Sequence, residues 1–158
     1  MTAEHRPLTA EQVRTLPVME LGSPGEMRDR LVALVLDGVK TATAGLLVEW
    51  QLDAEPLPRP GDRWALVDSA GRHLGVIETT EVRHARMADV DLAFALDEGE
   101  GFASVAQWRA DHERFWSGYL DELRVRRGDP TWAIDDDTPL VLERFRLLQR
   151  VDDPLSAP

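Results

Sequence analysis

Apolar positions recur at helical spacing in some stretches of the chain and alternate in others, and capping residues and glycines mark where one pattern gives way to the next. Thr9 followed by Gln12 forms a capping box, which predicts a short helix through Leu16 before Pro17 interferes. Ser23-Pro24-Gly25-Glu26 is a stronger start, with Ser23 as N-cap, Pro24 at the first helical position and Glu26 completing the box. Met27, Leu31, Leu34 and Val35 then fall on one face, and Asp37-Gly38 supplies the stop. Residues 44–52 read as helical again, with Leu47, Val48 and Leu52 as the apolar face, although so few residues separate helix from strand poorly.

Downstream the pattern changes. Pro56, Pro58, Pro60 and Gly61-Asp62 make a rigid connector. Residues 63–68 and 73–82 are rich in Val, Ile, Thr and Trp and flank Ser69-Ala70-Gly71-Arg72, which reads as a hairpin. A mixed acidic and apolar stretch follows, then the loop Leu96-Asp97-Glu98-Gly99-Glu100-Gly101, where glycines on both sides of Glu100 imply tight backbone. Ser104 with Gln107 caps a long helix carrying Trp108, His112, Phe115, Tyr119 and Leu123 on one stripe, expected to face the core. Residues 128–139 form an acidic loop, 140–148 a closing strand, and the polar end a frayed tail. The order implies an α+β fold with a helical extension over 1–22, one main domain over 23–150 and a disordered tail over 151–158.

Composition narrows the chemistry. With 158 residues, 43% of them hydrophobic and 30% charged, the chain is long and apolar enough to pack a core. It has no cysteine, which removes disulfides, thiolate metal sites and cysteine nucleophiles and fits a reducing compartment. The first residues lack a basic start and apolar stretch, and no run approaches the roughly 20 apolar residues that span a bilayer, so a cytoplasmic location without membrane contact is expected. The net charge of -11 disfavours long nucleic acids and suits a small substrate or a short single strand. Among the 18 basic residues Lys40 is the only lysine. Its amine is the one basic group here, histidine aside, whose pKa falls readily on burial.

Taken together, Gly38-Val39-Lys40-Thr41-Ala42-Thr43 after the first main helix, Pro60-Gly61-Asp62, Val76-Ile77-Glu78-Thr79-Thr80-Glu81-Val82, Glu98-Gly99-Glu100-Gly101, and Trp108-Arg109 with His112, Phe115 and Trp116 resemble the ASCH domain family over roughly residues 31–147. The resemblance implies a small PUA-like mixed β-barrel flanked by helices, with a cleft beside the Lys-x-x-Thr turn. Family members include RNA-binding modules, a ribonuclease and a short bacterial amidohydrolase that removes acyl groups from N4-acetylcytidine. The amidohydrolase's catalytic lysine, threonine and glutamate match Lys40, Thr43 and Glu98, with Glu100 as the competitor. The short enzyme has an arginine two positions after the threonine, where this chain has Gly45.

Amide cleavage requires a nucleophile, a base to take its proton, and an acid for the leaving nitrogen. Thr43, Lys40 and Glu98 supply these types, while Gly38, Thr41, Glu100, Arg63, Arg83 and Trp108 are the candidate substrate contacts. The plainer readings make Lys40 a solvated cation, Thr43 a helix cap, Glu98 and Glu100 solvated loop carboxylates, and His112 a hydrogen-bonded core residue. No metal is expected, since His5, His73, His84 and His112 lack ligand spacing and Asp135-Asp136-Asp137 lacks a calcium-loop glycine. Gly99 and Gly101 do not form a phosphate loop, so no cofactor is implied. The favoured reading is a hydrolase of acylated nucleobases. An RNA-binding module or a ribonuclease using the same cleft is the alternative. The expected partner is a small nucleoside-like ligand or single-stranded RNA, with a homodimer left open.

Overall fold

The computed structural model describes residues 6–155. Among the described residues two compact units emerge, both assembled from separated stretches of chain: the first from 6–41, 59–81 and 144–155, the second from 42–58 and 82–143. Five strands lie in the order β1-β3-β4-β5-β2, and β4 and β5 each contribute residues to both units.

In the first unit, α1 (Ala10–Thr15) starts at the expected capping box, with Thr9 and Gln12 each bonding the other's backbone. β1 (Val18–Met19) pairs in parallel with β3 (Arg63–Val67). β3 in turn runs antiparallel to β4 (His73–Arg86), with Trp64 opposite Ile77 and Ala65 opposite Val76. The hairpin is thus as the alternation predicts. The start of α2 (Glu26–Leu36) corrects the sequence reading: the N-cap is Gly25, at φ 111°, and Ser23 does not cap the helix. The reason is tertiary. Gly25 is gripped from the hairpin turn, where the Ser69 hydroxyl accepts its N–H at 2.7 Å and donates to its carbonyl at 3.0 Å. Met19, Leu21, Leu31, Val32, Val35, Leu66, Ile77 and Phe145 form this unit's core.

In the second unit, residues 44–52 are not one helix. β2 (Ala42–Leu46) is extended and neighbours β5, and α3 (Leu47–Asp53) begins only afterwards. Pairing with a neighbouring strand overrides the weak helical pattern over those first residues. A short 3-10 turn (Met87–Asp89) leads to α4 (Leu92–Asp97), which Asp91 caps by accepting the Phe94 N–H. The long helix predicted after Ser104 is two: α5 (Val105–Ser117), capped by Ser104 as expected, and α6 (Leu120–Arg127), with Gly118 as the C-cap of the first. β5 (Pro139–Leu155) extends well beyond the 140–148 span read from alternation. Residues 156–158 of the expected tail, and 1–5 of the N-terminal extension, lie outside the described residues. The second core gathers Ala42, Leu46, Met87, Phe94, Trp108, Trp116, Leu123, Leu140 and Leu142.

The architecture is α+β, a mixed five-stranded sheet with helices, in line with the small PUA-like mixed β-barrel that the resemblance implies. Among the described residues no helix is long and apolar enough to cross a membrane.

Candidate functional site

The motif segment begins where α2 runs out. Gly38 adopts φ 74°, a conformation that a residue with a side chain adopts at a cost. The turn it makes lets the N–H groups of Val39 and Lys40 both donate to the Leu34 carbonyl, at 3.0 and 3.1 Å. Lys40 is only 2% exposed, so it is not the solvated cation of the plainer reading. Thr41, half-buried, ends the first unit's stretch, and its carbonyl accepts the Phe145 N–H at 3.0 Å. Thr43 sits half-buried within β2, and the N-cap of α3 is Leu46 with no side-chain cap, so Thr43 is not a helix cap either.

Gly45, the departure from the short amidohydrolase, has a packing cause. A β-carbon there would lie 2.6 Å from Cη2 and 2.7 Å from Cζ3 of Trp50, so any larger side chain collides with that ring.

Within the second unit the sequence brings several chemical groups to one place. Glu98 is the C-cap of α4, and its backbone N–H donates to the Phe94 carbonyl. Gly99 and Gly101, at φ 68° and 91°, then turn the chain sharply on either side of half-buried Glu100, as the glycine spacing predicts. Ser104 and Gln107 fix the start of α5, so Trp108 and His112 fall one turn apart on the same face. The result is a buried carboxylate with two nitrogen donors on one oxygen. Glu98 is fully buried, and its Oε2 lies 2.9 Å from the Trp108 indole Nε1–H and 2.9 Å from His112 Nε2.

The ring of His112 is held on all sides. It stacks on Trp108 with centroids 4.2 Å apart and planes 23° apart, meets Trp116 edge-on at 5.3 Å, and lies 5.8 Å from the Phe102 ring. Its Nδ1 sits 2.8 Å from the Trp108 carbonyl oxygen. A carbonyl only accepts, so Nδ1 carries a proton and donates it. Burial works against the charged imidazolium, but the hydrogen bond to Glu98, the Glu98 charge, the Trp108 carbonyl and the Glu100 charge outweigh it and hold the His112 pKa above the usual 6.5.

Glu98, Glu100 and His112 offer ligand atoms within 4.8 Å of one another, a grouping that linear histidine spacing did not reveal. The 2.9 Å separation of Nε2 and Oε2 is that of a hydrogen bond, and a proton between them accounts for it.

Trp108 is fully buried, its face on His112 and its N–H on Glu98. Arg63, in the first unit, donates to Glu78, which also holds Arg146. Arg83 is exposed on β4. A cavity of about 240 Å3 in the second unit, lined by Leu47, Val48, Gln51, Arg127, Trp132, Thr138 and Pro139, contains none of the candidate residues. The enclosed carboxylate with its two nitrogen donors is the better guide to chemistry, since it concentrates titratable groups and that cavity does not. His112 is the residue that sequence reasoning set aside as core. It is indeed hydrogen-bonded and only 11% exposed, but it is bonded to the candidate acid. The four-residue step from Trp108 to His112, in register with the glutamate loop, was the available signal.

A family model for the ASCH domain matches residues 18–149. Among proteins with curated descriptions none matches the sequence. Of solved structures, a crystal structure of a protein from Enterococcus faecalis V583 is similar at 29% identity and a TM-score of 0.74, over 85% of this chain and 77% of that one. The ASCH domain from Lactobacillus crispatus JV V101 is similar at 30% identity and a TM-score of 0.67, over 77% of this chain and 72% of the other.

Proposed function

Because the chain belongs to the ASCH domain family, with its PUA-like fold often linked to RNA binding, we propose that it is a hydrolase of acylated nucleobase or nucleoside amides, with Glu98 as the acid that serves the leaving nitrogen. The observation that carries this reading is the fully buried Glu98 carboxylate, whose Oε2 receives both an indole N–H and an imidazole nitrogen at 2.9 Å. Surface carboxylates do not collect such an arrangement. A carboxylate held by directed donors beside a titratable imidazole is suited to acid-base work.

The motif resemblance supplies the other roles: Thr43 attacks the amide carbonyl, and Lys40 takes the hydroxyl proton. Two features support the base. Lys40 is the chain's only lysine, and at 2% exposure it is enclosed and not solvated. With Gly45 in place of the short enzyme's arginine, any substrate contact made by that arginine is missing or supplied elsewhere. Glu100, half-buried beside the pair, is the candidate for that contact.

The alternative is an RNA-binding module, or a ribonuclease using Lys40 and Glu98, and the fold's link to RNA favours it. The net charge of -11 and the engagement of Arg63 by Glu78 weigh against it.

A panel of N4-acylcytidines, incubated with wild type and with Lys40→Ala, Thr43→Ala and Glu98→Gln, decides between them. Release of free acid by wild type, lost in all three variants, is the expected result. Absence of deacylation at high enzyme concentration, together with salt-sensitive binding of single-stranded RNA, establishes the module instead. Cleavage of RNA but not DNA that is lost in Glu98→Gln establishes the ribonuclease.

A further inference from the structure

The Trp108 carbonyl fixes one proton on Nδ1 of His112. Nε2 and Glu98 Oε2 are 2.9 Å apart, and two bare lone pairs do not approach so closely, so a second proton lies between them. Oε2 already accepts the Trp108 indole N–H, which it does best as an anion. The charge of Glu100, from the loop after Glu98, also favours the cation on His112, and the rings of Phe102, Trp108 and Trp116 pack around the imidazole.

We infer that His112 is held as an imidazolium at neutral pH, stores the proton that Glu98 delivers, and is the positioning residue that recharges Glu98 in each turnover. The recharging role rests on the hydrolase reading above; the location of the proton does not. On that reading, the amide C–N bond breaks as the carbonyl carbon bonds to Thr43 Oγ. The hydroxyl proton passes to the Lys40 amine, and the departing nitrogen takes a proton from Glu98 that Nε2 of His112 has supplied. The ring is left neutral, still donating from Nδ1 to Trp108. Water then cleaves the Thr43 ester to the free acid and restores the hydroxyl. Lys40 sheds its proton and His112 takes one up, so that amide and water have become acid and amine.

The arrangement also explains why an imidazole, and not another donor, stands at this position. A tryptophan N–H holds the carboxylate but has no proton to give. The imidazolium does both.

The test is nitrogen-15 NMR of the histidine side chains in the labelled full-length chain, with His112 assigned by its loss in His112→Gln. The expected spectrum at pH 7.5 shows both ring nitrogens of His112 protonated, and a neutral ring at the same pH in Glu98→Gln. A wild-type ring with an unprotonated Nε2 at pH 7.5 overturns the inference, whatever the variants do. The glutamine in His112→Gln keeps an N–H near Oε2 but holds no transferable proton. It is expected to lower kcat on the order of 10²-fold with KM little changed, and to alter the pH profile of kcat. Full activity in a folded His112→Gln removes the recharging role. Failure of the wild type to deacylate any amide sinks the hydrolase reading and the recharging role with it, while the NMR result still locates the proton.

Discussion

The indole Nε1–H of Trp108 and the Oε2 of Glu98, ten residues apart in sequence, meet at 2.9 Å with both side chains out of solvent. The loop between them exists to permit that meeting: two glycines at positive φ turn the chain, and Ser104 starts the helix that carries the indole. A buried acceptor that loses a donor keeps its desolvation penalty, and this fixes the first expectation. Trp108→Phe keeps an aromatic ring but removes the N–H together with the pyrrole part of the indole, so the lost hydrogen bond and the space left behind both act. It should destabilise the fold by about 1–3 kcal/mol in urea denaturation. A loss below about 0.5 kcal/mol, the range of ordinary surface substitutions, shows that the bond contributes nothing.

The second expectation concerns pH. His112 titrates above its unfolded value of 6.5 because Glu98 and Glu100 outweigh its burial. A group whose folded pKa is raised stabilises the fold fully below the unfolded value and loses that contribution as pH rises through the folded one. Melting temperatures of wild type and His112→Gln should therefore differ most below pH 6.5 and converge toward alkaline pH. A gap that widens with rising pH contradicts the imidazolium.

Much of this was legible in the sequence, and the misses have a common cause. The Thr9 and Ser104 caps, the hairpin around Ser69 and the sharp turn at Gly38 are local devices, and local signals reported them correctly. Ser23 looked like a cap by the same logic, but Ser69, distant in sequence, holds Gly25 and sets the helix start there. Residues 44–46 looked helical because nothing nearby announces a strand partner; they belong to β2, whose neighbour is β5, about a hundred residues on. At the candidate site, residue types were readable and burial was not. Lys40, Glu98 and His112 all had ordinary surface or core explanations until the packing placed them.

Gly45 yields a third expectation, on packing alone. Its backbone is unexceptional, so the glycine is required by the Trp50 ring, which a β-carbon would meet at 2.6 Å. Overpacking of this kind costs about 1–3 kcal/mol, so Gly45→Ala should lower stability by that amount. Trp50→Leu in the same chain should recover part of the loss, because the flexible smaller side chain vacates the contact. Thermal melts of the two single variants and the double variant measure the coupling. Strict additivity refutes the steric account and reopens the question of why the short amidohydrolase's arginine is absent here.

Arg63 was a candidate for holding a ligand's phosphate, and its neighbours lead to a different expectation. Its Nε donates to Glu78 at 3.2 Å, and Arg146 reaches the other oxygen of the same carboxylate at 2.9 Å. Burial alone would push Glu78 upward, yet the two guanidiniums hold its pKa below the usual 4.5. A carboxylate depressed in this way stabilises the fold above its unfolded pKa, and the contribution is lost as pH falls through the folded value. The Arg63 side chain is more than a third exposed, which screens the pair and keeps its worth to about 0.2–1 kcal/mol. Arg63→Gln should therefore cause a small loss of stability at pH 7 that disappears in acid, and leave the KM for an acylated nucleoside unchanged. A several-fold rise in KM with unaltered stability would return Arg63 to the ligand and make the contact with Glu78 incidental.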